Sequence, residues 1–179
     1  MAQFKAYSPN VTVNGETVLS IVDGMGTFRD TALEILARRG IKNPQPGQWY
    51  NQQAWLNAFQ EIHQKIGVNT LYRIGLSIPE NAKLPPGIND VEKALGAIDV
   101  AYHMNHRGGE IGHYGFSRSA QSQGTMTCRN PYPCDFDRGI IEAMAKRFKP
   151  AGSLVKVLHD TGGPCRKNGG DACKYLVSW

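Results

Sequence analysis

The chain has 179 residues, of which 41% are hydrophobic and 20% charged, and it carries a formal net charge of +5. At about 100–200 residues per domain this length predicts one domain, and the composition excludes a disordered or fibrous chain. Four cysteines, Cys128, Cys134, Cys165 and Cys173, are too few for a disulfide-dense scaffold, and all of them fall in the last third of the sequence.

The N-terminus, Met1-Ala-Gln-Phe-Lys-Ala-Tyr-Ser-Pro, lacks the basic start and apolar run of a secretory signal. No stretch approaches the roughly 18 apolar residues of a membrane span. The expected compartment is therefore a reducing cytoplasm, where clustered cysteines bind metal or do redox chemistry more often than they form structural disulfides. Residues 1–90 hold eight basic and seven acidic side chains, and residues 91–179 hold twelve and eight. Lys146, Arg147, Lys149, Lys156, Arg166, Lys167 and Lys174 are read as a solvated basic face. No helix-turn-helix or RNA-binding signature accompanies them, so nucleic acid is not the expected partner.

Val11-Thr-Val-Asn14-Gly15-Glu-Thr-Val18 places an Asn-Gly pair between β-branched runs, which predicts a hairpin at the start. Phe28, Ala32, Ile35 and Leu36 then recur at helical spacing behind Thr27 as N-cap, with Gly40 as the stop. Beyond the linker Pro44-Gln-Pro46-Gly47, residues Trp55, Ala58, Phe59, Ile62 and Ile66 trace a second helix that ends at Gly67. Residues 68–78 fit a strand or a helix. A third helix follows, capped by Asn89 and Glu92, with Val91, Ala94, Leu95, Ile98 and Tyr102 on its apolar face and Gly108-Gly109 after it.

The texture then changes. Residues 110–128 read as two strands around Ser119–Gly124, and residues 135–149 as a helix with Asp135 as cap. Val155–Leu158 and Tyr175–Trp179 read as paired strands around a glycine-rich cysteine loop. Helices followed by an antiparallel sheet predict an α+β fold: one domain over 1–179, mainly helical to 109, with a sheet and cysteine-rich part over 110–179.

Cys128 and Cys134 flank a turn, and Cys165 and Cys173 bound a loop whose glycines allow tight turning. Two such pairs brought together supply four thiolates in the tetrahedron that zinc prefers, although neither spacing is the Cys-x2-Cys knuckle of zinc fingers or iron–sulfur proteins. A redox-active dithiol and two disulfides are the competing readings. No nucleophile elbow, phosphate loop, dinucleotide motif or paired helical carboxylates are present, so no catalytic residues are assigned, and Asp135 and Asp137 read as helix-start charges. His103 and His106 stand one turn apart near His113, where they could ligate a metal or haem or hydrogen-bond a phenol-like ligand. Trp55, Phe59, His63 and Tyr72 read first as core residues.

The stretch Pro164-Cys165-Arg-Lys-Asn-Gly169-Gly-Asp171-Ala-Cys173-Lys-Tyr175, with looser support from Tyr132-Pro-Cys134-Asp-Phe-Asp-Arg-Gly139, resembles the C-terminal signature of the 4-vinyl reductase domain family. It is similar too to the aromatic-sensing domains of phenol-responsive transcription activators. The resemblance implies a helical half followed by an antiparallel sheet with a crossing helix, a fold shared with haem nitric-oxide-binding domains and TRAPP-type subunits. It also implies a structural zinc held by Cys134, Cys165 and Cys173, but the family's glutamate ligand falls on Gly162. Cys128 is then the first choice for the fourth ligand, with His159 or Asp160 as fallbacks. The same resemblance implies an apolar cavity lined by a Trp and a His, which selects Trp55, Phe59, Tyr102, His103, His106 and Phe116 for a small hydrophobic or aromatic ligand.

The function so implied is a small-molecule sensory domain acting through a homodimer or a separate output protein. Tetrapyrrole binding or vinyl reduction in chlorophyll or haem metabolism is the enzymatic alternative, and a cysteine redox switch the third. The haem relatives' Tyr-x-Ser-x-Arg motif is absent, since Ser117 and Arg118 follow Tyr114 in the wrong register.

Overall fold

A computed structural model describes residues 3–179. In chain order these form β1 (Thr12–Asn14), α1 (Gly15–Gly24), a 3-10 turn (Gly26–Phe28), α2 (Arg29–Arg38), β2 (Trp49–Asn51), α3 (Gln52–Lys65), α4 (Val68–Asn81), α5 (Val91–Met104) and β3 (His106–Arg107). The C-terminal part continues with β4 (His113–Ala120), β5 (Gln123–Arg129), α6 (Cys134–Phe148), β6 (Lys156–His159), a 3-10 turn (Arg166–Asn168) and β7 (Cys173–Ser178). Two antiparallel sheets result, one of three strands in the order β2-β1-β3 and one of four in the order β4-β5-β7-β6. The α+β class and the helices-then-sheet order agree with the sequence reading. No helix among the described residues is long and apolar enough to cross a membrane.

Four local expectations are corrected. Thr27 does not cap α2: it lies in the 3-10 turn, no side chain caps the helix, and Phe28 is exposed. Asn14-Gly15 is not a hairpin turn: Asn14 has φ −72° and its side chain caps α1, accepting from the Thr17 amide. Gly15 serves close approach instead, because a Cβ there would lie 1.8 Å from the Gln45 carbonyl oxygen. The cap of α5 is Asp90, whose Oδ1 accepts from the Lys93 amide at 2.7 Å, in place of Asn89. Helix α6 starts at Cys134 behind Pro133, not at an Asp135 cap. The ambiguous 68–78 segment is helical, since Leu71, Ile74 and Ile78 recur on its buried face.

Helices α4 and α6 cross at a pair of glycines. A Cβ on Gly75 would stand 2.2 Å from the Phe136 carbonyl oxygen, and one on Gly139 would stand 2.3 Å from the Tyr72 carbonyl oxygen. Both obstacles are backbone, so neither can rotate away. Gly139→Ala is expected to cost about 3 kcal/mol, read as a lowered urea midpoint at unchanged slope.

Helix α5 packs on β4 and α6 on β6, which leaves the opposite face of the larger sheet outward. Along β7 the alternation is strict: Cys173, Tyr175 and Val177 are buried, while Lys174 and Leu176 are exposed.

Candidate metal centre and the adjoining cavity

Four donors meet where elements of the C-terminal part begin or end. Cys134 opens α6, His159 closes β6, Cys165 precedes the second 3-10 turn, and Cys173 opens β7. Their ligand atoms, three sulfurs and one imidazole nitrogen, all lie within 4.8 Å of one another. A tetrahedral zinc with bonds of about 2.0–2.3 Å needs its donors a little under 4 Å apart, so only small side-chain movements separate this arrangement from a closed site. The four cysteines are free thiols, and the Cys134 and Cys173 sulfurs stand 3.3 Å apart.

His159 supplies an independent indication. Its Nε2 is buried and has no hydrogen-bond partner among the described residues. Leaving such a group unsatisfied costs about 1–3 kcal/mol, which coordination would remove. The ring is oriented by stacking on Tyr175 at 4.8 Å, and the Tyr175 hydroxyl donates to the Cys134 carbonyl at 2.8 Å. Cys128 lies outside the group: it is buried on β5, with its backbone opposite that of Cys173, and burial holds its thiol protonated. Asp160 is also outside it and accepts from the Gly162 amide at 2.9 Å.

The shell around the sulfurs is polar. Gln3 Nε2 donates to the Cys134 sulfur at 2.8 Å, and Arg166 Nε donates to the Cys173 sulfur at 3.3 Å. The Cys134 thiol hydrogen bond, with help from the Arg166 guanidinium, holds Cys173 well below the ordinary thiol range. Cys173 is therefore the thiolate of the pair, as a metal ligand must be.

Arg166, which the sequence placed on a solvated basic face, is buried and enters the core. Its guanidinium pairs with Asp137, and both side chains are fully shielded from solvent. Its Nη1 also reaches Asn130 and donates to the Tyr132 carbonyl at 2.8 Å. Asp137 accepts in addition from the Tyr114 hydroxyl at 2.7 Å, so it is a buried counter-ion and not a helix-start surface charge. Burial pushes its carboxyl group up to about 6, against the pull of Arg166 and Tyr114, and it remains ionised at neutral pH. This network was not foreseen from the sequence.

A narrow apolar cavity of about 50 Å³ lies between helices and sheet, with Trp55, Tyr102, His106, Tyr114, Tyr132 and Phe136 in its lining. Three of the six expected pocket residues thus border it. Phe59 is buried behind Trp55 with ring centroids 4.9 Å apart, Phe116 packs on the sheet against Gly124, and His103 is exposed with Nδ1 on the Asp99 carbonyl. His106 lies beyond α5, in β3, so the two histidines do not share a helix face.

Both His106 nitrogens are engaged. Nδ1 donates to the Tyr102 carbonyl at 2.8 Å, which fixes Nε2 as the acceptor of the Tyr132 hydroxyl at 2.6 Å. Gln52 Nε2 in turn donates to that hydroxyl at 2.9 Å. Burial lowers the His106 pKa from 6.5 to about 4. A folded-state pKa below the unfolded value means that this stability is present above about 6.5 and lost as pH falls through about 4. Up to about 3 kcal/mol should disappear across that window, and His106→Gln should flatten this part of an acid denaturation profile.

No family model matches the chain, and no curated protein matches it in sequence. The fold is nevertheless that of H-NOX proteins. The H-NOX protein from S. oneidensis in its Fe(II)NO ligation state superposes with a TM-score of 0.66 at 13% identity, over 91% of this chain and 97% of that one. A single-site mutant of T. tengcongensis H-NOX gives 0.62 at 16% identity, over 90% and 94%, and Fe(II) unliganded H-NOX from K. algicida gives 0.59 at 15%, over 92% and 95%.

The residues present in this chain do not fit a haem. Its cavity of about 50 Å³ falls far below the 300–1,000 Å³ of typical ligand pockets, and edge-to-face packing of Trp55, Phe59, Tyr132 and Phe136 fills the region beside it. His106 has no free nitrogen for an iron, and His103 faces outward.

Proposed function

We propose that this chain is a haem-free sensory domain of the H-NOX fold, stapled by a structural zinc on Cys134, His159, Cys165 and Cys173, and responsive to a small, largely apolar molecule. The observation that carries the reading is the convergence of those four donors around an otherwise unpartnered His159 nitrogen. The motif's resemblance to the 4-vinyl reductase and phenol-sensor domains supports the same reading, with His159 standing in for the glutamate absent at Gly162. Zinc would tie the glycine-rich 160–172 segment to α6 and β7, adding folding energy that so short an apolar contact cannot supply.

At about 50 Å³ the cavity is smaller than the roughly 150 Å³ that takes up benzene, so a single aromatic ring would enter only as Met144 in its wall moves aside. Trp55 Nε1 is buried without a hydrogen-bond partner, so an oxygen on the ligand would satisfy it. A reducing cytoplasm keeps such thiolates available, and output would pass to a second copy or a separate protein. Phenol and haemin are the two probes. Calorimetric titration with phenol is expected to saturate, while haemin gives no Soret band beyond that of the free compound. A stoichiometric, sharpened Soret band, or absence of phenol binding, would contradict this reading.

A further inference from the structure

The four-stranded sheet has one covered edge and one open edge. Along β4 the Tyr114 amide donates to Asp99 Oδ1 of α5 at 2.7 Å, and Arg118 pairs with Glu92 at the start of the same helix at 3.3 Å. At the other end of the order β4-β5-β7-β6, no further strand among the described residues pairs with β6.

The partner of β6 fixes which way its main chain points. The Asp160 amide, just past the strand, donates to the Lys174 carbonyl at 2.8 Å, and the register sets Leu158 opposite Leu176 and Lys156 opposite Ser178. Main-chain groups alternate sides along an antiparallel strand, so those of Lys156, Leu158 and Asp160 face β7, and those of Val157 and His159 face the open edge. These outward N–H and C=O groups have no hydrogen-bond partner among the described residues. Side chains alternate as well: Val157 is buried, whereas Lys156 and Leu158 stand on the outer face of the sheet. There Leu158, 48% exposed, lies beside Leu176, 50% exposed.

We infer that β6 pairs antiparallel with β6 of a second copy of this chain, about a two-fold axis at Leu158, and joins the two four-stranded sheets into one. Val157 then stands opposite His159 of the second copy, and by symmetry the reverse, so the hydrogen bonds between them engage every outward N–H and C=O of both residues. Leu158 meets Leu158 of the second copy at a non-hydrogen-bonded position, where cross-strand side chains are closest. With Leu176 of each copy alongside, the joint carries a continuous stripe of leucines.

Charge selects this register. A lysine on an edge strand ordinarily repels a further strand. Here Lys156 falls opposite Asp160 of the second copy, twice by symmetry, and Asp160 uses only Oδ1 within its own chain, on the Gly162 amide. Axes at Lys156 or at Asp160 would instead set like charges against each other. Of the two output routes proposed above this takes the second copy, but it stands on the strand edge alone and requires neither zinc nor a cavity ligand.

Sedimentation velocity of the full, metal-loaded chain, from micromolar to near-millimolar concentration, provides the test. A reversible monomer–dimer equilibrium is expected, and Leu158→Asp, which sets two carboxylates against each other at the axis, should weaken it at least tenfold. Lys156→Glu and Asp160→Lys should each weaken it several-fold alone, through like charges. An equimolar mixture of those two variants should form heterodimers, because both cross-strand pairs are then complementary. Zinc content and circular dichroism of each variant separate loss of pairing from loss of the metal or the fold. A wild-type chain that stays monomeric throughout would overturn the inference, as would a dimer that Leu158→Asp leaves intact or folded charge variants that form no heterodimer.

Discussion

Arg166→Met is expected to destabilise the protein by about 3–5 kcal/mol, among the largest effects of any single change outside the cluster of Cys134, His159, Cys165 and Cys173. Arg166 and Asp137 are both fully buried, so removing the cation leaves a carboxylate with no counter-charge and no water. Two backbone carbonyls, of Asn130 and Tyr132, lose their donor at the same time. Adding Asp137→Leu to Arg166→Met should recover part of the loss, because deleting both charges removes the desolvation penalty that the single variant exposes. Recovery should be incomplete, since Tyr114 and the two carbonyls still lack partners. Urea midpoints of the three proteins, each with its zinc content checked, measure this. A single-variant loss under about 1 kcal/mol would mean that water reaches the pair.

The second large effect is metal removal. If zinc binds the folded chain about 1,000-fold more tightly than its free concentration requires, it contributes about 4 kcal/mol, which in a chain of this length is a shift of roughly 8–16 °C in Tm. Chelation should lower Tm by at least that much. Cys165→Ser or Cys173→Ser should reproduce the effect in the presence of metal, and His159→Ala should lower zinc affinity by several orders of magnitude. Cys128→Ala should leave zinc stoichiometry unchanged, because its thiol lies outside the converging set. Near-ultraviolet circular dichroism during chelation should report the loss through Tyr175, which stacks on His159 and bonds to the Cys134 carbonyl.

Much of the architecture was legible because it rests on periodicity. The helical face of Trp55, Phe59 and Ile62 and the alternation along β7 are local signals that tertiary context reinforces. Asn14-Gly15 misled because the same pair suits a turn or a cap, and only the approach of Gln45 from 30 residues away decides between them. Cys134, Cys165 and Cys173 were legible as a set through motif and chemistry. The place of His159 beside them was less legible, yet a signal existed: Val157 and His159 share a face in the two-residue strand period, with Leu158 turned outward. Arg166 carried no such signal. A cation beside a lysine in a glycine-rich loop reads as solvated until the fold brings Asp137 to it, 29 residues away in sequence. The haem misfit was legible only in the absent Tyr-x-Ser-x-Arg motif, because the rest of it depends on which nitrogens of His106 are already occupied.

The central claim is a zinc held by three sulfurs and one imidazole, and zinc-edge X-ray absorption of the purified protein tests it most directly. One zinc per chain is expected, with three sulfur scatterers at about 2.3 Å, one nitrogen at about 2.0 Å and the outer-shell signature of an imidazole ring. Four sulfurs, which would bring Cys128 into the set, or protein without bound zinc after preparation in zinc-supplied medium, would contradict it.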